Sequence, residues 1–199
     1  MEHNLPIYYA EIATDEQGIY CVSLVDCPAV ESLFVTLGKH DKPREHMRFS
    51  AIENGEQHLL LGVIMRANYP IYRVDGDYEF YIVYEPDTIR KMAEKMLLDG
   101  YSSAVDLQHD NNLVDGVNLQ ELFIKDSTKG IVPKGFEDIE DGSLFGVYKV
   151  HNEDVWQRVK RGECAGFSLA GNFRISRKDD ELKSLMAEVE EIEKQLNNL

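Results

Sequence analysis

The chain is poor in cysteine, in positive charge and in uninterrupted apolar sequence, and each shortage excludes something. Its three cysteines, Cys21, Cys27 and Cys164, form an odd set without metal-ligand spacing in 199 residues. A disulfide framework is therefore not expected, and thiols packed as small hydrophobes in a reducing compartment are. Lys and Arg total 21 against 36 Asp and Glu, a formal net charge of −15. Phosphate backbones are held by clustered cations, so nucleic acid is excluded as a partner. The acidity runs along the whole chain and would repel an anionic membrane as well. No apolar run approaches the roughly 18 residues of a transmembrane helix, and the first residues show no basic-then-apolar leader. A soluble intracellular chain is the expectation.

What is present is enough for a core: 43% of residues are hydrophobic and 10% aromatic, a globular composition. β-branched and aromatic runs predict strands at 7–12, 18–25, 33–37, 58–65 and 78–84. Further strands are expected at 103–109, 117–126, 142–150 and about 164–170. A helix is predicted from Asp87, taken as N-cap, to Gly100, with Ile89, Met92, Met96 and Leu97 near a 3.6 period. A shorter helix is predicted over 153–161, capped by Asn152 and stopped by Gly162, with Val155, Trp156 and Val159 on one face. Composition changes after Ser176. Leu182, Leu185, Met186, Val189, Ile192 and Leu196 then recur at spacings of three and four among Glu and Lys. The organisation expected is a body over 1–176 and a C-terminal amphipathic helix over 177–199. That helix either packs on its own domain or serves self-association.

The most informative segment is 162–171, Gly-Glu-Cys-Ala-Gly-Phe-Ser-Leu-Ala-Gly, which sets Ser168 among apolar residues and glycines. A serine hydroxyl becomes a nucleophile only with a base in reach and donors for the oxyanion. His109, in 104–110 Ala-Val-Asp-Leu-Gln-His-Asp, is the candidate base. Glu121 is the first choice to orient the imidazole, because its strand is expected to form a hairpin with that of His109; Asp106 and Asp110 are the alternatives. A one-residue slip in that hairpin would turn Glu121 to the other face. A metal site at His109 and Asp110 would need further ligands, and His3, His40, His46, His58 and His151 are scattered. Cys164 is a weaker nucleophile candidate, since Glu163 beside it disfavours a thiolate.

Several blocks occur together and in order: 85–94 Glu-Pro-Asp-Thr-Ile-Arg-Lys-Met-Ala-Glu, 106–109 Asp-Leu-Gln-His, 119–124 Leu-Gln-Glu-Leu-Phe-Ile, 155–163 Val-Trp-Gln-Arg-Val-Lys-Arg-Gly-Glu, and 166–171 Gly-Phe-Ser-Leu-Ala-Gly. In this combination, from about residue 5 to 175, the chain resembles the XkdF-like phage serine proteases. These are relatives of the prohead proteases of tailed phages and of herpesvirus assemblin. The resemblance implies that His109 and Ser168 are the catalytic pair. It also implies an α+β fold with a bent, mostly antiparallel barrel-like sheet and flanking helices, and no cofactor. The implied substrates are scaffold and major capsid protein, and often the enzyme itself, inside a procapsid assembling in the host cytoplasm. Residues 18–30 also resemble a block that other prohead proteases carry after the catalytic serine. Here the block comes first, as in a circular permutation, and Cys21 stands where a glutamate tends to precede Val-Ser-Leu-Val. A non-enzymatic capsid assembly or scaffold protein, self-associating through its C-terminal helix, is the competing expectation.

Overall fold

The computed structural model describes residues 5–26, 50–51 and 58–178. In chain order it holds β1 (Ile7–Glu11), β2 (Gly18–Val25), β3 (Ser50–Ala51), β4 (Leu59–Met65), β5 (Ile71–Asp75) and β6 (Tyr78–Val83). Then come α1 (Pro86–Leu98), β7 (Val105–Leu107), β8 (Val117–Ile124), β9 (Leu144–Val150), α2 (Glu153–Lys160), β10 (Gly166–Asn172) and β11 (Arg174–Ser176). The strands hydrogen-bond in the orders β11-β1-β6-β5, β10-β2-β7 and β3-β4-β9-β8. All these ladders are antiparallel except β1–β6 and β2–β7. The fold is α+β and dominated by β-sheet. Among the described residues the ladders do not close a barrel. The strand expected at 33–37 and the helix expected over the end of the chain lie outside the described residues, except that Lys178 is helical.

Local chemistry accounts for the helices. In α1 the buried residues Ile89, Met92, Ala93 and Met96 recur at spacings of three and four and face the core. Its N-cap is Glu85, not Asp87. Pro86 takes the first helical position, where its missing N–H costs nothing and its fixed φ suits the helix. Asp87 therefore falls in the first turn, where its charge complements the helix dipole. In α2 the cap is as expected: Asn152 Oδ1 accepts a hydrogen bond from the Val155 amide at 3.2 Å. Gly162, at φ +75°, takes the left-handed conformation that ends the helix.

One core joins the sheets. Val22 and Leu24 of β2, Leu60 of β4, Leu144 and Tyr148 of β9, Met92 and Met96 of α1 and Phe167 of β10 belong to a single buried cluster. β10 can therefore sit in only one place. Phe167 packs on Tyr148, with ring centroids 4.8 Å apart, so the next residue, Ser168, must face the other way.

One hairpin was not anticipated and one expected hairpin does not form. β5 and β6 form a hairpin through Asp75, Gly76 and Asp77, with Gly76 at φ +60°; an Asp-Gly turn is a strong hairpin signal that the strand reading passed over. β7 and β8 do not form the expected hairpin. β7 runs parallel to β2, while β8 pairs antiparallel with β9. A parallel pair needs a long crossover, and the chain between β2 and β7 supplies one that includes α1, packed on β2.

Met92 is fully buried beneath the sheet that carries Ser168. Met92→Ala is expected to lower unfolding free energy by about 2–5 kcal/mol, read as a lower urea midpoint. A loss below about 1 kcal/mol would remove Met92 from the core.

Candidate active site

Three strands and one turn build the site. In β10 and β2, Ser168 lies directly opposite Ser23, and in the parallel ladder Ser23 lies opposite Asp106 of β7. Residues paired across a sheet point to the same face. Ser168, Ser23 and Asp106 thus form a row of polar side chains on the face opposite the core. Cys21 stands on that face too, since it pairs with Ala170, two residues beyond Ser168. The row is nearly closed to solvent: Ser23 is 0%, Asp106 2% and Ser168 8% exposed.

His109 closes the row from above. It belongs to no strand: β7 stops at Leu107, and Gln108 and His109 both take φ +56°. Consecutive left-handed residues that are not glycine cost about 1–2 kcal/mol each and persist only when the surroundings fix them. Several hydrogen bonds do so. The Gln108 amide donates to Leu24 O at 3.1 Å and the Asp110 amide to Leu107 O at 3.1 Å. Gln108 Nε2 donates to Glu163 O at 3.0 Å. Asp106 Oδ2 accepts from the Asn111 amide at 3.1 Å. The turn doubles back and lays the imidazole across the two serines, while His109 itself stays exposed.

The imidazole contacts both hydroxyls. His109 Nε2 lies 2.8 Å from Ser168 Oγ, and Nδ1 lies 2.8 Å from Ser23 Oγ. The expected pair, Ser168 and His109, is brought together within hydrogen-bond reach. Glu121 is not brought to it. It is an exposed residue of β8, paired with Val147 in a different sheet from Ser168. The hairpin that would have carried it to His109 does not form. Asp110 faces solvent and accepts from the Asn112 amide at 2.8 Å. The position beside Nδ1 belongs to Ser23, which the sequence reading did not single out. Its signal was the Val-Ser-Leu-Val run itself, an alternating strand with one hydroxyl on the face opposite Val22 and Leu24.

The two described cysteines, Cys21 and Cys164, are unsuited to nucleophilic work. Burial, and then the Asp106 carboxylate, push the Cys21 thiol up to about 11. Burial also raises Cys164, which belongs to the core cluster. Among the described residues, no three His, Cys, Asp or Glu gather as metal ligands. A groove between α1 and β8, lined by residues such as Arg90, Leu97, Leu122 and Ile131, contains neither Ser168 nor His109. At the serine–histidine contact His109 is exposed, while Ser168 is buried beneath it.

A serine hydroxyl on a rigid strand, an imidazole nitrogen against it and a polar group on the second nitrogen are the arrangement of a serine hydrolase. The chain belongs to the family described as "Putative phage serine protease XkdF", whose model matches residues 46–176. It is also 29% identical over 165 residues to "Uncharacterized protein YqbD" of Bacillus subtilis (strain 168), which covers 80% of this chain. The chain spans about half, 46%, of the length of that relative. No solved structure matches it.

A thiol raised to about 11 remains protonated and unreactive through neutral and mildly basic pH. In the native protein at pH 8, Cys21 and Cys164 are expected to resist iodoacetamide, and both to react in urea. Peptide mass mapping reads this out, and rapid native labelling of Cys21 would contradict the buried site face.

Proposed function

We propose that this protein is a serine endopeptidase of phage particle assembly. The observation that carries the reading is the double contact of one imidazole, 2.8 Å from Ser168 Oγ and 2.8 Å from Ser23 Oγ. Ser168 is the nucleophile, His109 the general base and Ser23 the group that orients the ring. As Ser168 Oγ attacks a peptide carbonyl carbon, its proton passes to His109 Nε2. The same proton is then delivered to the leaving amine, which departs as the C–N bond breaks. Water, deprotonated by His109, hydrolyses the acyl-enzyme and frees Ser168. Backbone N–H groups to hold the oxyanion complete these requirements.

The substrate class follows from the setting. His109 is exposed on its turn, where a chain lying across the surface would reach it. An open site suits an extended segment of another protein. Together with the family, this supports scaffold and major capsid protein as substrates, with self-processing, inside the assembling procapsid in the host cytoplasm. The bent, barrel-like closure of the sheets and self-association through residues 177–199 belong to the same proposal.

Ser168→Ala is expected to lower proteolysis by about a thousandfold or more and to abolish covalent labelling by a fluorophosphonate. The measurement is mass-spectrometric mapping of cut sites in co-expressed capsid protein, with particle assembly followed by electron microscopy. Lost cleavage with assembly retained supports the protease. Unchanged cleavage overturns it and leaves an assembly or scaffold protein with a protease-like fold.

A further inference from the structure

A serine is an ambiguous neighbour for a catalytic imidazole. A carboxylate beside Nδ1 can only accept, so it forces the proton onto Nδ1 and leaves Nε2 free to act as base. A hydroxyl both donates and accepts. If Ser23 donates to Nδ1, the proton sits on Nε2, and His109 faces Ser168 as a donor that cannot take its proton. If Ser23 accepts from Nδ1–H, Nε2 is a base. The second arrangement leaves the Ser23 hydroxyl hydrogen needing an acceptor of its own in a place with 0% exposure.

One such acceptor stands beside it. Asp106 is Ser23's register partner across the parallel ladder, on the same face, in strands about 4.8 Å apart. Its Oδ2 is occupied by the Asn111 amide. Its Oδ1 is buried and, among the described residues, has no hydrogen-bond partner. A buried carboxylate oxygen without a donor is costly and calls for an explanation.

We propose that Asp106 is a positioning residue that acts on His109 through Ser23: a turn of its side chain brings Oδ1, which has no partner among the described residues, onto the Ser23 hydroxyl hydrogen, obliging Ser23 Oγ to accept from Nδ1–H and leaving Nε2 as the base toward Ser168. The inference rests on the serine protease reading for its catalytic consequence. It assigns Asp106 a role without direct contact with the imidazole, and it requires no proton to reach the carboxylate. During attack only the Ser168 proton moves, to Nε2. The Ser23 hydroxyl dipole, held by the Asp106 charge, then stabilises the imidazolium.

Asp106→Asn separates this role from a structural one. The Asn side-chain oxygen keeps the contact to the Asn111 amide, while its NH2 group replaces Oδ1 and turns a donor toward Ser23. Ser23 is then driven to donate to Nδ1. In the full chain with 15N-labelled histidine, the neutral His109 ring of the unsubstituted protein is expected as the Nδ1–H tautomer, and that of Asp106→Asn as the Nε2–H tautomer. On a peptide spanning a mapped cut site, kcat should fall by about 10²- to 10⁴-fold with KM nearly unchanged. Ser23→Ala, which leaves the Asp106–Asn111 contact in place, should produce the same tautomer switch and covers the case in which Asp106→Asn does not fold. An Nε2–H ring in the unsubstituted protein overturns the proposal, as does an Nδ1–H ring in either folded variant, whatever the activity. A tautomer switch in a protein that cuts no peptide supports the role of Asp106 and defeats the protease reading instead.

Discussion

The structure depends on one constraint: a single imidazole must span two hydroxyls that a sheet holds side by side. Ser168 and Ser23 are register partners, so their separation is fixed by strand spacing rather than by side-chain choice. The two contacts of 2.8 Å follow once the ring is laid over that pair. Everything else serves the placement. Phe167 against Tyr148 sets the face of β10, Val22 and Leu24 set the face of β2, and the hydrogen bonds of Gln108 and Asp106 hold the turn above them. The strain of two adjacent left-handed residues is borne where the base must reverse direction onto the sheet.

This geometry spreads the work between elements of different rigidity. Ser168 and Ser23 sit on paired strands with a common core beneath them. His109 sits on an exposed turn, so solvent reaches it first.

Much of this was legible in the sequence, for reasons that differ by element. β2, β6 and β9 announced themselves through β-branched and aromatic runs, and α2 through its Asn152 cap and Gly162 stop. The Ser168–His109 pair could be named because a glycine-flanked serine and a lone histidine, expected within a strand over 103–109, are chemically conspicuous, and because the blocks around them occur in order; the strand in fact stops at Leu107 and leaves His109 in the turn. The third partner was not readable. Glu121 depended on a hairpin that strand propensity cannot specify, since β7 is short enough to pair with whichever edge the core offers. Ser23 is a neutral residue in an ordinary strand; only the cross-strand register turns it into a neighbour of the ring. The Pro86 start of α1 was obscured by Asp87, a good cap in sequence that the proline displaces into the first turn.

The order of the three contributing segments has a consequence for timing. β2 supplies its hydroxyl early, the turn at His109 follows, and β10 completes the row only after α2 has formed. A ribosome-bound chain that has not yet emerged through residue 172 therefore holds His109 without a paired β10. Joining β10 to β2 closes a loop of more than a hundred residues, the kind of long-range event that folding reaches slowly. The serine–histidine contact is thus a property of the completed sheet and of no shorter stretch of the chain.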